Sequence, residues 1–211
     1  MTRILATLVA ITALAAPTVA LAATMNGTDG DDTLVGTATA DRISGKDGND
    51  TITGLAGDDK LSGDRGNDKV DGGDGDDNVK GKRGNDELIG GAGDDKLHDS
   101  HGDDMLDGGD GNDRIKDSRG EDKIDGGAGN DRIHAKKGED DVKGGDGDDR
   151  INVRDKDADT VDCGDGEDTV KADAKDKLTN CEHQQIRSSK SKGKSKGKAK
   201  GTGKAKGHSR P

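Results

Sequence analysis

The chain has 211 residues without a single Phe, Trp or Tyr, and only 26% of it is hydrophobic against 37% charged. That balance excludes an ordinary apolar core and, taken alone, describes a disordered polymer. With 36 glycines and a formal net charge of −11, either the chain is largely unfolded or something other than apolar burial holds it together.

The first residues stand apart. Thr2-Arg3 is short and basic, residues 4–16 are an apolar run, and Ala20-Leu21-Ala22 is a small-x-small site. Residues 1–22 therefore read as a secretory signal peptide cut after Ala22, which points to a secreted or extracellular protein. The alternative is an uncleaved anchor, since the run is nearly long enough to span a bilayer. Pro17 and the cleavage site favour removal, and no later segment is apolar enough to cross a membrane.

From Gly27 a period of nine begins and runs without a gap to Asn152, giving fourteen units. The sixth position is Asp in every unit: Asp32, Asp41, Asp50, Asp59, Asp68, Asp77, Asp86, Asp95, Asp104, Asp113, Asp122, Asp131, Asp140 and Asp149. The eighth is always Leu, Ile or Val, and the fourth is Gly except at Thr39. The glycines suit a tight turn, and the aliphatic residue sits where a short strand points one side chain inward, with positions seven and nine outward. From residue 72 onward, glycine doublets (Gly72-Gly73, Gly90-Gly91, Gly108-Gly109, Gly126-Gly127, Gly144-Gly145) open only alternate units. The true repeat is therefore eighteen residues, and the stack has two chemically different edges.

Units such as GGDGNDRIK (108–116) and GGAGNDRIH (126–134) resemble GGxGxDxUx, the nonapeptide of the RTX (repeats-in-toxin) family, closely over 27–152 and loosely over 153–182. The resemblance implies an all-β fold: a right-handed parallel β-roll, a β-helix solenoid of six-residue turns and three-residue strands. Two nonapeptides form each coil, and calcium lies between successive turns. The residue chemistry agrees. Carboxylates and turn carbonyls are hard oxygen donors suited to Ca²⁺, whereas Mg²⁺ wants a stricter octahedron and zinc would want His or Cys, which do not cluster here. The candidate ligands are the fourteen position-six Asp residues and Asp168, completed by glycine-turn carbonyls. The alternative is that these Asp residues only form Asx-type turns. Seven loops per edge give room for up to about twelve calcium ions, and one more if Asp168 takes part. The doublet edge (Asp77, Asp95, Asp113, Asp131, Asp149) is expected to bind best, because the other edge carries Arg65, Arg83, His101, Arg119 and Lys137 at position three. One aliphatic residue per nine is a thin core, and parallel stacking sets like carboxylates about 4.8 Å apart. Without a cation the chain is expected to be disordered.

The period slips at 153–162, returns in CGDGEDTVK (163–171) and decays after it, so 153–186 reads as degenerate capping coils. Cys163 and Cys181 are eighteen apart, one coil, and stacked positions lie within disulfide reach; a bridge is expected in an oxidising compartment, two buried thiols being the alternative. A cap with such a Cys pair also resembles those of small secreted bacterial calcium-binding proteins. Residues 187–211 hold ten Lys or Arg and no acid, and read as a disordered basic tail. With Arg3 and this tail set aside, 23 Lys and Arg face 45 Asp and Glu.

On one sheet the outward positions include Arg42, Lys60, Lys80, Lys96, Arg114, Lys116, Arg132 and Arg150, with no acid among them. The other mixes Asp71, Glu87, Asp107, Asp125 and Asp141 with Lys69, Lys123 and Lys143. The basic ladder either balances loop carboxylates such as Asp58, Asp94 and Asp148 or forms a face for a polyanion, an anionic cell-wall polymer or polysaccharide. The lack of aromatic residues argues against specific nucleic-acid recognition. No Gly-x-Ser-x-Gly or clustered His suggests catalysis, so no enzyme is expected. The sequence thus leads to a secreted calcium-binding roll or, alternatively, a cell-surface or matrix interaction module. The family's usual C-terminal type I secretion signal is replaced here by a lysine tail, which speaks against a toxin role.

Overall fold

The computed structural model describes residues 21–187. The expected leader and basic tail lie outside this range apart from Leu21, Ala22 and Arg187. Nineteen strands and no helix occur among the described residues. Odd-numbered strands in chain order build a ten-stranded sheet and even-numbered ones a nine-stranded sheet, every pairing parallel and to the next coil. Arg42 pairs with Lys60 and Lys60 with Asn78, a step of eighteen residues, as the alternation of glycine doublets requires. The architecture is a parallel β-solenoid of about nine turns.

Its core is one file of aliphatic side chains on each sheet. Ile43, Leu61 and Val79 from one and Ile52, Val70 and Leu88 from the other are at most 2% exposed. These position-eight residues form one buried cluster between the two sheets. At the ends, Met25, Leu34 and Leu178 are only partly buried.

Strand length departs from the expected three residues. Many strands run for six, through the corner and into the next turn, as in Asn78–Arg83 and Met105–Asp110. The cause is local. In these strands the second residue of the turn takes positive φ, 88° at Lys82 and 98° at Gly109, which lets the extended backbone bend and keep pairing. Where Asp-Ser, Ala-Lys or Val-Arg opens the turn, the strand stops after three residues, as in Lys96–His98, Arg114–Lys116, Arg132–His134 and Arg150–Asn152. Lys46, Leu55, Asp64 and Lys82 adopt the left-handed corner without being glycine, at about 1–2 kcal/mol each.

The slip at 153–162 is absorbed in a loop with Lys156 at φ 103°, after which Thr160 pairs with Asp141. The disulfide expected between Cys163 and Cys181 is present, with the Cα atoms 5.1 Å apart. Outside the roll, the basic ladder lies on the ten-stranded sheet, where Arg114, Arg132 and Arg150 stand in register. The nine-stranded sheet neutralises itself through pairs such as Lys69–Glu87 and Lys143–Asp125.

Candidate metal sites

Each position-six Asp uses its two oxygens differently. The Asp32 N–H donates to Asp50 Oδ1 (2.8 Å), Asp50 N–H to Asp68 Oδ1 (2.8 Å), and so on along that edge. On the other edge the same thread runs from Asp41 through Asp59 and Asp77 to Asp149, whose N–H donates to Asp168 Oδ1 (2.8 Å). Oδ1 thus satisfies the backbone of the neighbouring coil. Oδ2 has no such employment. From Asp50 to Asp149 in every unit, and in Asp168, it is buried without a hydrogen-bond partner. Only at the first coils is it satisfied locally, by the N–H of Thr28 on Asp32 (2.5 Å) and of Thr37 on Asp41 (2.5 Å). There the Asx-turn reading suffices. Elsewhere a turn role accounts for one oxygen and leaves the other buried and unpaired, at about 1–3 kcal/mol or more for a charged group.

The first residue of each turn explains where the spare oxygen points. A Cβ placed on Gly72 would stand under 3 Å from Asp77 Oδ2 and from the Gly90 carbonyl oxygen of the next coil. Gly90, Gly108, Gly126 and Gly144 repeat that arrangement with Asp95, Asp113, Asp131 and Asp149. Glycine at position one therefore leaves a cradle walled by a carboxylate and a carbonyl, with no room for carbon. An all-oxygen, anionic donor set of adaptable geometry fits Ca²⁺. The ordered columns of carbonyl and carboxylate are what would hold it, and the ion would supply the positive charge the interior lacks.

The energetics of the buried acids agree. Burial, then repulsion from neighbouring carboxylates, pushes Asp95 and Asp131 up to about 7, and Asp77, Asp113 and Asp149 up to about 6. On the single-glycine edge Asp140 is pushed up to about 7, and Asp86, Asp104 and Asp122 to about 8. The ionised interior is unfavourable unless a cation enters.

Three buried acids escape the position-six rule. Asp159 takes the ligand place in the slipped coil, its Oδ1 accepting from Asp140 N–H at 3.0 Å. The signal was Asp159-Thr160-Val161-Asp162, a D-x-U-x phrase displaced by one residue. Asp99 and Asp117 stand at position one, where the four preceding turns of the single-glycine edge carry glycine, and are fully buried. Their carboxylates gather with position-six residues into two groups, Asp86–Asp99–Asp104 and Asp104–Asp117–Asp122, with ligand atoms within 4.8 Å of one another. The cations at position three stay outside. The Arg65 side chain is 63% exposed and pairs with Asp47, and Arg119 Nη1 meets His101 Nε2 at 2.8 Å.

The RTX calcium-binding nonapeptide repeat, in its four-copy form, matches the chain in overlapping segments from 26–61 and 35–70 through to 107–142 and 125–154, together residues 26–154. No curated protein matches the chain.

Proposed function

The chain belongs to the RTX family of calcium-binding nonapeptide-repeat proteins and is a calcium-binding β-roll; from that premise we propose that it is secreted and that calcium drives its folding. The observation that carries this reading is the row of buried, unpartnered Oδ2 atoms from Asp50 to Asp168. Such a row is unfavourable in the empty coil and becomes the binding surface once dications bridge it. Because the cradles exist only when coils stack, binding and folding are one event. The twelve position-six Asp residues from Asp50 to Asp149, with Asp159 and Asp168, are the ligands in this reading, while Asp32 and Asp41 close their own turns, leaving room for up to about twelve ions. The leader expected over 1–22 and the Cys163–Cys181 bridge support an extracellular setting, where calcium is plentiful.

The test is circular dichroism and calorimetry on the full mature chain. Chelated protein is expected to show little strand. Millimolar calcium should restore it with several cooperative binding steps, and identical strand content with and without chelator would refute the proposal.

A second reading rests on the ten-stranded sheet. Arg114, Arg132 and Arg150 stack in register beside Lys116, His134 and Lys171, around a shallow trough. Among the described residues none of these Arg and Lys side chains is in an ion pair. Some of their charge is used locally, since Asp94 is held below its usual range by hydrogen bonds from Asn112 and then by Arg114 and Lys96. A ladder one cation deep per coil suits a polymer with regularly spaced carboxylates or phosphates, and the basic tail would add to it. Binding to an immobilised anionic polysaccharide should fall when Arg114, Arg132 and Arg150 are changed to Ala or when 187–211 is removed. No binding by the intact chain in low salt would end this reading.

A further inference from the structure

The position-one column of the single-glycine edge reads Gly27, Gly45, Gly63, Gly81, Asp99, Asp117, Ala135, Val153 and Ala172. Two acids stand where the repeat calls for glycine, and each divides its oxygens. Asp99 Oδ1 accepts from the N–H groups of Ser100 and of His101 (3.1 Å), and Asp117 Oδ1 from Arg119 N–H (2.9 Å), so one oxygen closes the turn. The other oxygen points inward. Asp117 Oδ2 is fully buried and has no hydrogen-bond partner. Asp99 Oδ2 accepts from Lys82 N–H at 3.1 Å and enters the cradle over Gly81. A Cβ on Gly81 would lie under 3 Å from both Asp99 Oδ2 and Asp86 Oδ2. Ordinary cradles offer one carboxylate and one neutral carbonyl there; this one offers two carboxylates.

Resting on the calcium-binding reading above, we propose that Asp99 and Asp117 are metal ligands outside the nonapeptide rule, creating two three-carboxylate sites, Asp86–Asp99–Asp104 and Asp104–Asp117–Asp122, that bind hard cations more tightly than any other gap and fill first. Because Asp104 is shared, the pair of sites holds five carboxylates, whose charge two divalent ions only partly offset, which favours tight binding and draws a trivalent ion into at least one of them. Asp104 belongs to both sites, so occupancy of one bears on the other. The unpartnered Oδ2 atoms of Asp86, Asp104, Asp117 and Asp122 are the independent sign that a ligand is wanted. The position would place the first ions in the middle of the roll, from which coils would wind in both directions.

The test uses the full mature chain and its D99G/D117G variant. Glycine is what the four preceding turns of this edge carry at position one, so the variant places there a residue the fold already uses. Calcium calorimetry of the parent should show two sites at least roughly tenfold tighter than the rest, and terbium(III) should occupy them first, with a luminescence lifetime indicating few bound waters. The variant should fold in calcium yet lose both tight sites and their terbium signal. Two isotherms that superimpose while both proteins fold would overturn the proposal, and would show that these acids serve only their turns. Should D99G/D117G fold poorly, D99N/D117N retains the turn-closing oxygen and removes the charge: weakened tight sites support the proposal, and unchanged ones overturn it. Failure of the parent itself to gain strand in calcium would instead refute the calcium-folding reading, a separately visible result.

Discussion

The two edges of the roll face the same problem, reversing the chain every nine residues around a polar interior, and solve it differently. The doublet edge is uniform. From Gly72 to Gly144 every turn opens with two glycines, the second at positive φ, and every cradle is walled by the same carbonyl and carboxylate. The first two turns, Gly36-Thr37 and Gly54-Leu55, lack the second glycine, and the last coil departs with Cys163 and Cys181 ending the column. The single-glycine edge changes along its length, from glycine to acid to the buried apolar Ala135, Val153 and Ala172. A uniform edge can be lengthened by copying, but it does not distinguish one coil from the next, so pairing could slip by a whole coil. The varied edge fixes the order, because Asp117 moved in between Val153 and Ala172, away from the other acids, or Val153 set in an oxygen cradle, would be penalised.

The sharpest way to break this comparison is to place the same side chain in both columns. At Gly108 a valine would drive carbon into Asp113 Oδ2 and the Gly126 carbonyl. Gly108→Val should lower the calcium-saturated stability by about 3 kcal/mol and abolish at least one ion. At Ala135, which stacks next to Val153 in a column already apolar, Ala135→Val should cost no more than about 1 kcal/mol and leave the ion count unchanged. Denaturant unfolding in saturating calcium measures both, and equal losses would show that the edges do not differ in kind.

The second test concerns how each edge ends. One is stapled by a disulfide closing a separation of 18 residues, the other is closed by apolar packing. Removing the bridge with C163S/C181S should cost roughly 2–3 kcal/mol. The loss should be local: amide exchange should quicken in Thr160–Asp165 and Lys177–Thr179 of the nine-stranded sheet. Protection around Val153 and Ala172 should persist, and uniform loss through both sheets would sink the idea of separate closures.

These contrasts were unequally legible in the sequence. The period of nine, the eighteen-residue alternation and the invariant Asp fixed the coil, the two sheets and their register, because each depends on spacing alone. The disulfide was legible for the same reason. The six-residue strands were not, since they depend on whether position two accepts positive φ, and Lys46, Leu55, Asp64 and Lys82 do so without being glycine. Asp99 and Asp117 were missed because a regular pattern directs attention to the positions that obey it. In the letters they are two lost glycines; only stacking shows that their carboxylates meet those of Asp86, Asp104 and Asp122.

The pH response should next set the Asp86–Asp104–Asp122 stretch of the single-glycine edge apart from the doublet edge. A carboxylate whose folded value is raised from the ordinary 3.8 binds its proton more tightly in the coil than in the unfolded chain. Its stabilising effect is therefore present in acid and fades as pH climbs from about 4 toward the folded value. Metal-free protein should show more strand at pH 4.5 than at pH 8. Asp77, Asp113 and Asp149, near 6, should lose protons before Asp86, Asp104 and Asp122, near 8. Calcium affinity should move the opposite way, strengthening from pH 6 to 8 with release of protons. Carboxyl carbon shifts report the order directly, and titration of Asp86, Asp104 and Asp122 together with Asp77, Asp113 and Asp149 would contradict it.

The smallest effect concerns the position-three cations, present on one edge and expected from sequence to make it the weaker binder. In the structure Arg65 is 63% exposed on its side chain and its partner Asp47 is 52% exposed, at 3.4 Å. A pair that open to water contributes between nothing and about 1 kcal/mol, and its charge is screened from the interior by solvent and by the turn itself. Asp50 and Asp68, the position-six residues flanking that turn, keep their spare oxygens inside the roll, away from the guanidinium. Arg65→Ala should therefore change stability by less than about 0.5 kcal/mol and leave the calcium isotherm where it was. A clear gain in calcium affinity would mean that the cation acts through the turn on the ions within. The weakness of that edge would then be real, and the acids at 99 and 117 would read as compensation for it.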